Sequence, residues 1–286
     1  MNVLKTGFLL ALLTVLLVFL GHLIGGTQGA TVMLGIALAI NLISYWFSDK
    51  IVLAMYRAKP LNEPEAPQVY RVVREIASRS RMPMPKLYWI STQTPNAFAT
   101  GRSPNHAAVA VTSGLLELVS EEELKGVLAH ELSHVRNRDT LVMTIAAAIA
   151  GAIMYLARIA EWSLWFGGGR SRDDENRGAA AAQVVVMLVI AILAPLAAMM
   201  IQLAISRTRE YGADDTGAHL AGSPYGLASA LEKLDRAAKA YPLPNANPAT
   251  AHLFIVNPLS ASAIMNLFST HPPIAERIRR LRAMRL

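Results

Sequence analysis

The chain has 286 residues, of which 53% are hydrophobic and only 16% are charged, and its mean hydropathy is +0.35. These values are too apolar for an ordinary soluble protein of this length, so the composition predicts a membrane protein. The net charge of +7 comes from Lys and Arg scattered along the chain, and no basic stripe is interleaved with aromatic residues, so nucleic-acid binding is not indicated.

Four long uncharged runs carry the excess of apolar residues. Each is close to the roughly 17–25 residues that a helix needs to cross the hydrocarbon of a bilayer. They cover about residues 6–24, 30–47, 141–157 and 179–205. The first run resembles a secretory signal, but it is long and no small-residue cleavage site follows it, so we expect a retained anchor. The sequence therefore predicts four transmembrane helices in two hairpins.

The charges beside the first hairpin predict its orientation. Lys5 precedes the first run, and Lys50, Arg57 and Lys59 follow the second, so the basic residues lie on one side. The positive-inside rule makes that side cytoplasmic, together with both termini. In the second hairpin the arginines of the loop at 167–178 are matched by acidic residues, so that charge signal is ambiguous.

Between the hairpins, the pattern predicts helices on a small sheet. Apolar residues spaced for one helix face occur at 69–76, and three β-like runs follow at 86–90, 97–100 and 107–112. Ser120 and Glu123 form a capping-box pattern that predicts the start of the next helix. The four predicted regions are a transmembrane hairpin (1–48), a first soluble segment (49–139), a second hairpin (140–205) and a second soluble segment (206–286).

The last soluble segment is predicted to be mainly helical. A helix from 206 to about 240 is interrupted by the Gly-Ser-Pro sequence at 222–224, and four prolines then mark an irregular stretch from 241 to 258. A final helix starts at the His-Pro-Pro sequence at 271–273. The fold class predicted for the whole chain is thus an α+β membrane protein.

The HELSH sequence at residues 130–134 carries the main chemical signal. His130 and His134 are four residues apart, so a helix directs both imidazoles toward one ion, while Glu131 lies about 100° around the helix. This HExxH spacing is typical of zinc peptidases. We expect Glu131 to be the general base, taking a proton from the attacking water and delivering it to the leaving amine.

A catalytic zinc site needs a third protein ligand. Because the chain has no cysteine, that ligand has to be a carboxylate or another histidine. Glu210 is predicted, since it follows the fourth apolar run at the height where HELSH precedes the third. Asp214, one turn later, is expected to accept the outer N–H of His130. Taken alone, this acidic pair is equally typical of a solvated helix face.

Several separated motifs together resemble the HtpX-like membrane zinc metalloproteases of the Ste24-like metallopeptidase family. They are the four apolar runs, HELSH, the sequence SRTREYGAD around Glu210, NAFATG at 96–101 and STHPP at 269–273. The resemblance covers essentially the whole length. It implies a zincin-like cytoplasmic protease domain, one Zn²⁺ per chain, location in the cell inner membrane, and a role in stress response and protein quality control. The implied substrates are membrane and misfolded proteins, hydrolysed without ATP, and the chain has no P-loop for a nucleotide.

Two further residues are weaker candidates within this resemblance. Asn96 and the run at 107–112 resemble the edge-strand side of a peptide cleft, where Asn96 would hold substrate backbone. Asn96 after Pro95 is equally a turn residue. His271 is a candidate for stabilising the oxyanion or touching substrate, and equally a histidine at a helix start.

Three other functions remain as alternatives to this protease. An intramembrane protease would have to bury the charges that surround HELSH, at a cost of several kcal/mol. Processing of prenylated C-terminal motifs occurs in eukaryotic Ste24-like members. Those members usually have more spans, which enclose a chamber, whereas four spans cannot build a large one. The alternative from a different class is a non-enzymatic membrane zinc scaffold or sensor, whose site would be closed by four protein ligands and would not need Glu131.

Overall fold

The computed structural model describes residues 2–150, 207–240, 253–255 and 272–286. The fourth predicted span, the end of the third, most of the proline-containing stretch and His271 lie outside the described residues. Within the described part, the chain is mostly helical with one small mixed sheet. This confirms the predicted α+β class at that level.

The first hairpin forms from a single helical region, α1 (Asn2–Met55), which is interrupted only at Gly25 and Gly26. The φ of Gly26 is +58°, a left-handed conformation that glycine adopts without steric cost. The two halves pack antiparallel, since the Asn41 side-chain amide donates to the Leu10 carbonyl (3.2 Å) and the Thr14 hydroxyl (2.8 Å). Two glycines therefore suffice for the reversal between the first two apolar runs.

Three apolar helices lie side by side in the described part of the chain. Only Gly25–Met55 is both long and apolar enough to cross a membrane, while Thr6–His22 and Asp139–Ala150 are shorter apolar helices. We name the last of these α5. Its apolar side chains pack with Leu9, Leu13 and Leu17 of α1 in one buried cluster.

A four-stranded sheet lies next to these helices. Its strands are β1 (Lys59–Pro60), β2 (Lys86–Ile90), β3 (Ala97–Gly101) and β4 (Ala107–Thr112), in the order β1-β2-β4-β3. β2 and β4 are parallel, whereas β3 is antiparallel to β4. The expectation that residues 107–112 lie at the edge is wrong: β4 is a central strand, buried along its whole length, and β3 is at the edge. A strand buried on both faces lacks polar alternation.

The remaining helices build the main core on one face of the sheet. They are α2 (Pro67–Arg79), α3 (Ser113–Leu118), α4 (Glu121–Arg136), α6 (described from Arg207 to Ala221), α7 (Tyr225–Ala240) and α8 (Ile274–Ala283). The predicted apolar face of α2 is confirmed, since Val69, Val72, Val73 and Ile76 are all buried. The break between α6 and α7 falls at the predicted Gly-Ser-Pro sequence. The opposite face of the sheet contacts the end of α1 and α5.

Candidate metal centre

Helix α4, which carries HELSH, starts at a complete capping box. The Ser120 hydroxyl accepts from the backbone N–H of Glu123 (3.3 Å), and the Glu123 carboxylate accepts from the backbone N–H of Ser120 (2.8 Å). These two bonds satisfy backbone donors that the first turn of a helix leaves without intrahelical partners. The start of α4 is thus fixed locally, about three turns before His130.

The second half of α4 is buried all round, from Gly126 to Val135. α6 crosses it closely at Gly217, where an added Cβ would lie 3.0 Å from the Cα of His130. α7 crosses it at Gly126, where an added Cβ would lie 2.4 Å from the backbone nitrogen of Leu227. Because neither glycine has a side chain, α6 and α7 can pack directly on the backbone of α4.

This packing brings His130, His134 and Glu210 together. All three are buried, and one potential ligand atom from each lies within 4.8 Å of the other two. The Nε2 atoms of His130 and His134 lie 3.7 Å and 3.4 Å from the two Glu210 carboxylate oxygens. Bonds of about 2.0–2.2 Å from a tetrahedral zinc ion place ligand atoms roughly 3.3–3.5 Å apart. The donor set and its spacing therefore fit such an ion.

His130 is held from behind by a carboxylate and an arginine. Its Nδ1 lies 3.0 Å from Asp214 Oδ1. Asp214 in turn accepts two hydrogen bonds from Arg277, at 2.9 Å from Nε and 2.6 Å from Nη2. The Arg277 guanidinium is fully buried and also lies 3.4 Å from both ring nitrogens of His130.

His134 has a similar arrangement on its other side. Its Nδ1 lies 3.3 Å from Asp139 Oδ2, and Arg209 Nε lies 3.7 Å from Asp139 Oδ1. Asp139 is the first residue of α5, and Arg209 is in the first described turn of α6. Each histidine thus has its Nε2 toward Glu210 and its Nδ1 toward an aspartate.

Glu131 lies between the edge strand and the two histidines. One of its carboxylate oxygens accepts the backbone N–H of Ala99 in β3 (2.9 Å). Burial raises the pKa of Glu131 above its ordinary value, although the neighbouring histidines and the Ala99 N–H act in the opposite direction. A carboxyl group with a raised pKa is suited to accept and return a proton near neutral pH.

The buried charges also shift the pKa values of neighbouring groups. Burial by itself lowers the pKa of His134, but the carboxylates of Glu210 and Asp139 raise it to about 9. Burial raises the pKa of Asp214, but Arg277 and His130 outweigh it and bring the value to about 2. A metal ion binding at His134 therefore competes with a proton, whereas Asp214 is ionised throughout the physiological range.

The space in front of the three candidate ligands is small. The cavity there is about 10 Å³, roughly the room of one water molecule. Its walls include Phe98, Ala99 and Met143, together with the short segment 253–255. Asn96 is buried beside this segment, and its side-chain oxygen accepts the backbone N–H of Ile255 (3.2 Å). In this conformation Asn96 thus holds a peptide segment of its own chain.

Sequence reasoning did not assign Asp139, Arg209 or Arg277 to this centre. The position of Asp139, five residues after His134 and just before the third apolar run, is the signal that could have identified it. Arg277 is fully buried, and its spacing, three residues after Ile274 and four before Leu281, places it on the apolar face of the last helix and is the signal that could have identified it. The structure brings His130, Glu131, His134, Glu210 and Asp214 together, while His271 lies outside the described residues.

Comparison with protein families gives a match to Peptidase family M48 over residues 63–285. The matched segment contains every residue of the centre described above. It also contains Asn96 and the last helix.

Two curated relatives, each described as "Protease HtpX homolog", are similar over nearly their full length. The chain is 60% identical to the one from Thermodesulfovibrio yellowstonii over 284 residues, 99% of each chain. It is 57% identical to the one from Syntrophobacter fumaroxidans over 280 residues, 98% of each chain. Among solved structures, the crystal structure of S. mikatae Ste24p is similar at 21% identity with a TM-score of 0.49, covering 88% of this chain and 57% of that chain.

Proposed function

The chain belongs to peptidase family M48 and is a membrane metalloprotease, and on this premise we propose which residues bind the metal ion and which residue acts as the general base. His130, His134 and Glu210 bind one Zn²⁺ ion per chain, and Glu131 is the general base. The observation that carries this proposal is the buried cluster itself, with three ligand atoms within 4.8 Å of one another and the Glu131 carboxylate fixed beside them by the Ala99 N–H.

When bound, the zinc ion supplies Lewis acidity, which polarises a carbonyl and makes water a better nucleophile at neutral pH. Glu131 takes the proton from the attacking water and returns it to the leaving amine. The Ala99 N–H keeps one Glu131 oxygen in place, so proton transfer needs little rearrangement. Asp214 holds the Nδ1 proton of His130 and so directs Nε2 toward the ion.

The proposed substrates are protein segments that bind in extended form along β3. An edge strand offers backbone groups with which a peptide can pair, and β3 carries Ala99 directly beside Glu131. Asn96, next to the start of β3, is proposed to bind substrate backbone where it now binds Ile255. His271 remains a proposed substrate or transition-state contact on the strength of the motif alone.

The proposed location is the cell inner membrane, with four spans, both termini in the cytoplasm, and cleavage of membrane or misfolded proteins at the cytoplasmic face. The exposed apolar surface of α1 supports contact with lipid. The basic residues that follow its second half support the orientation. We propose regions 1–48 and 140–205 as the hairpins, and regions 49–139 and 206–286 as the two halves of the protease domain. No nucleotide or nucleic acid takes part.

A non-enzymatic zinc scaffold is not favoured. Such a protein would not need a buried carboxylate beside its ligands. Burying an ionisable group such as Glu131 costs free energy, and a catalytic role explains why the residue is buried there.

The decisive experiment compares Glu131→Gln with the wild type as full-length protein in detergent. We expect the variant to retain zinc and to lose casein cleavage by about 10²–10⁴-fold, the usual contribution of a general base. Glu122→Gln removes an exposed carboxylate from the same helix and should leave both properties unchanged. A chelator should abolish wild-type cleavage. A substantially active Glu131→Gln protein would contradict the assignment of the base.

A further inference from the structure

We propose that Asp139, the first residue of α5, is a positioning residue for the metal ligand His134, supported in turn by Arg209. The inference rests on the proposed function, since it takes His134 to be a ligand. It makes the start of the second membrane hairpin part of the metal centre. The contacts are Asp139 Oδ2 to His134 Nδ1 at 3.3 Å and Asp139 Oδ1 to Arg209 Nε at 3.7 Å.

The turn between α4 and α5 brings Asp139 back toward His134. α4 ends at Arg136 with Asn137 as its C-cap, and Arg138 then adopts a left-handed conformation with φ of 58°. A non-glycine residue in this region is uncommon and needs surrounding contacts to hold it. Those contacts exist, because α5 packs on α1 immediately afterwards. The reversal lets residue 139 contact a side chain five positions earlier, which a continuous helix would not allow.

The environment of Asp139 suits a carboxylate that is directed at an imidazole. Both side chains are about 4% exposed, so solvent screens their interaction little. Asp139 also lies at the N-terminus of α5, where the helix dipole favours a negative charge. Arg209 lies beside the same carboxylate and offsets part of its charge.

The orientation of the His134 ring determines what its contact with Asp139 does chemically. Nε2 lies 3.4 Å from Glu210 Oε1, on the side where the ion would bind, so Nδ1 carries the proton that Asp139 accepts. A carboxylate at that position fixes the tautomer and increases the basicity of the metal-binding nitrogen. Asp214 has the same relation to His130, at 3.0 Å. The centre therefore has one orienting aspartate for each histidine, and each aspartate has its own arginine.

A purely structural Asp139 would act differently. A residue that only begins α5 and pairs with Arg209 would, when changed, lower the unfolding temperature but leave the affinity of the folded protein for zinc unaltered. An orienting Asp139 changes that affinity even when the fold is intact. Metal affinity and the spectrum of bound cobalt thus separate the two roles.

The test uses full-length protein in detergent, stripped of metal and titrated with Zn²⁺ against a chromophoric chelator. Asp139→Asn keeps the shape of the side chain but removes the charge, and we expect the zinc dissociation constant to rise about 10–100-fold. The visible spectrum of the Co²⁺-loaded variant should also shift. Asp215→Asn, which removes an exposed carboxylate from α6, is the matched control and should bind zinc like the wild type.

Two further variants make each outcome decisive. His134→Ala should lose high-affinity zinc binding; if it does not, the proposed ligand set fails. If His134→Ala loses zinc but Asp139→Asn binds it with wild-type affinity and spectrum, the positioning role of Asp139 is overturned. Should Asp139→Asn not fold, Arg209→Gln takes its place: a several-fold rise in the dissociation constant supports the inference, and an unchanged constant overturns it.

Discussion

Soluble proteins usually bury apolar side chains and expose charged ones. Helices α1 and α4 both depart from this rule, in opposite ways. α1 exposes large apolar side chains, among them Phe8 at 58% and Leu38 at 57%. α4 buries ionisable ones, with His130 at 2% and Glu131 at 7% exposed. Exposed apolar surface of this extent indicates an apolar partner, and buried charges need ion partners or a metal. Each departure thus supports one of the proposed contacts: hydrocarbon around α1 and a metal ion beside α4.

The largest expected effect comes from removing Glu210, the proposed carboxylate ligand beside the two buried histidines. Glu210→Ala should lose bound zinc after dialysis and reduce casein cleavage by more than about 100-fold, since even residues behind the ligands usually contribute 10–100-fold. Zinc per chain is measured by elemental analysis. Glu117→Ala, at an exposed position, is the control. A Glu210→Ala protein with one zinc per chain would mean that the charges of α4 are buried for another reason.

Removing Arg277 tests whether its positive charge compensates the buried carboxylate of Asp214, which contacts the proposed ligand His130. Arg277→Ala leaves Asp214 as a buried carboxylate without its main partner, which typically costs about 3–5 kcal/mol. The unfolding free energy is followed by thermal or denaturant unfolding of metal-free protein in detergent. Arg279→Ala on the same helix removes an exposed guanidinium and should cost almost nothing. Equal effects of the two substitutions would show that the Arg277–Asp214 pair does not contribute to the unfolding free energy.

The apolar surface of α1 is tested by placing a charge on it. Leu38→Arg puts a guanidinium near the middle of Gly25–Met55 on an exposed face, and in a bilayer this costs about 2.5–3.5 kcal/mol of insertion free energy. Membrane insertion is measured by resistance of the protein to alkaline extraction. Leu38→Phe should insert normally. If Leu38→Arg inserts like the wild type, this face of α1 does not contact lipid.

The smallest effect concerns a buried charge of α4 that lies away from the metal centre. Burial raises the pKa of Glu123, but hydrogen bonds from Lys233, Ser229 and the Ser120 N–H outweigh it, so the pKa is lowered. Because the folded-state pKa is depressed, this stabilisation is present above the ordinary carboxyl pKa and is lost as the pH falls through the lowered value.

Lys233→Met should therefore reduce the unfolding free energy by about 1 kcal/mol at neutral pH and by less in acid. The comparison of denaturant midpoints at the two pH values measures this. Lys125→Met removes one of two cationic partners of the more exposed Glu75 and should have a smaller effect. A loss that grows as the pH falls would contradict the direction of the Glu123 shift.

Local patterns predicted the parts of the centre that lie on single helices. The 3.6-residue period relates His130 to His134 and Glu210 to Asp214, and the capping box begins α4 at the predicted residue. By contrast, Arg277 is 147 residues from the histidine it contacts, and only the packing of α8 on α6 and α7 brings it there. The edge position of β3 was likewise not predictable, since short apolar runs do not reveal the order of strands.

The close approach at Gly217 also bears on which ion the protein can hold. An added methyl group there would meet the His130 backbone at 3.0 Å, so α6 would have to move away by a few tenths of an ångström. Glu210 lies on the same helix and would move with it. That displacement is comparable to the difference between zinc–oxygen bonds of about 2.0–2.2 Å and calcium–oxygen bonds of about 2.3–2.6 Å. If His130, His134 and Glu210 hold the ion as proposed, the missing Cβ of Gly217 thus favours the shorter bonds of zinc.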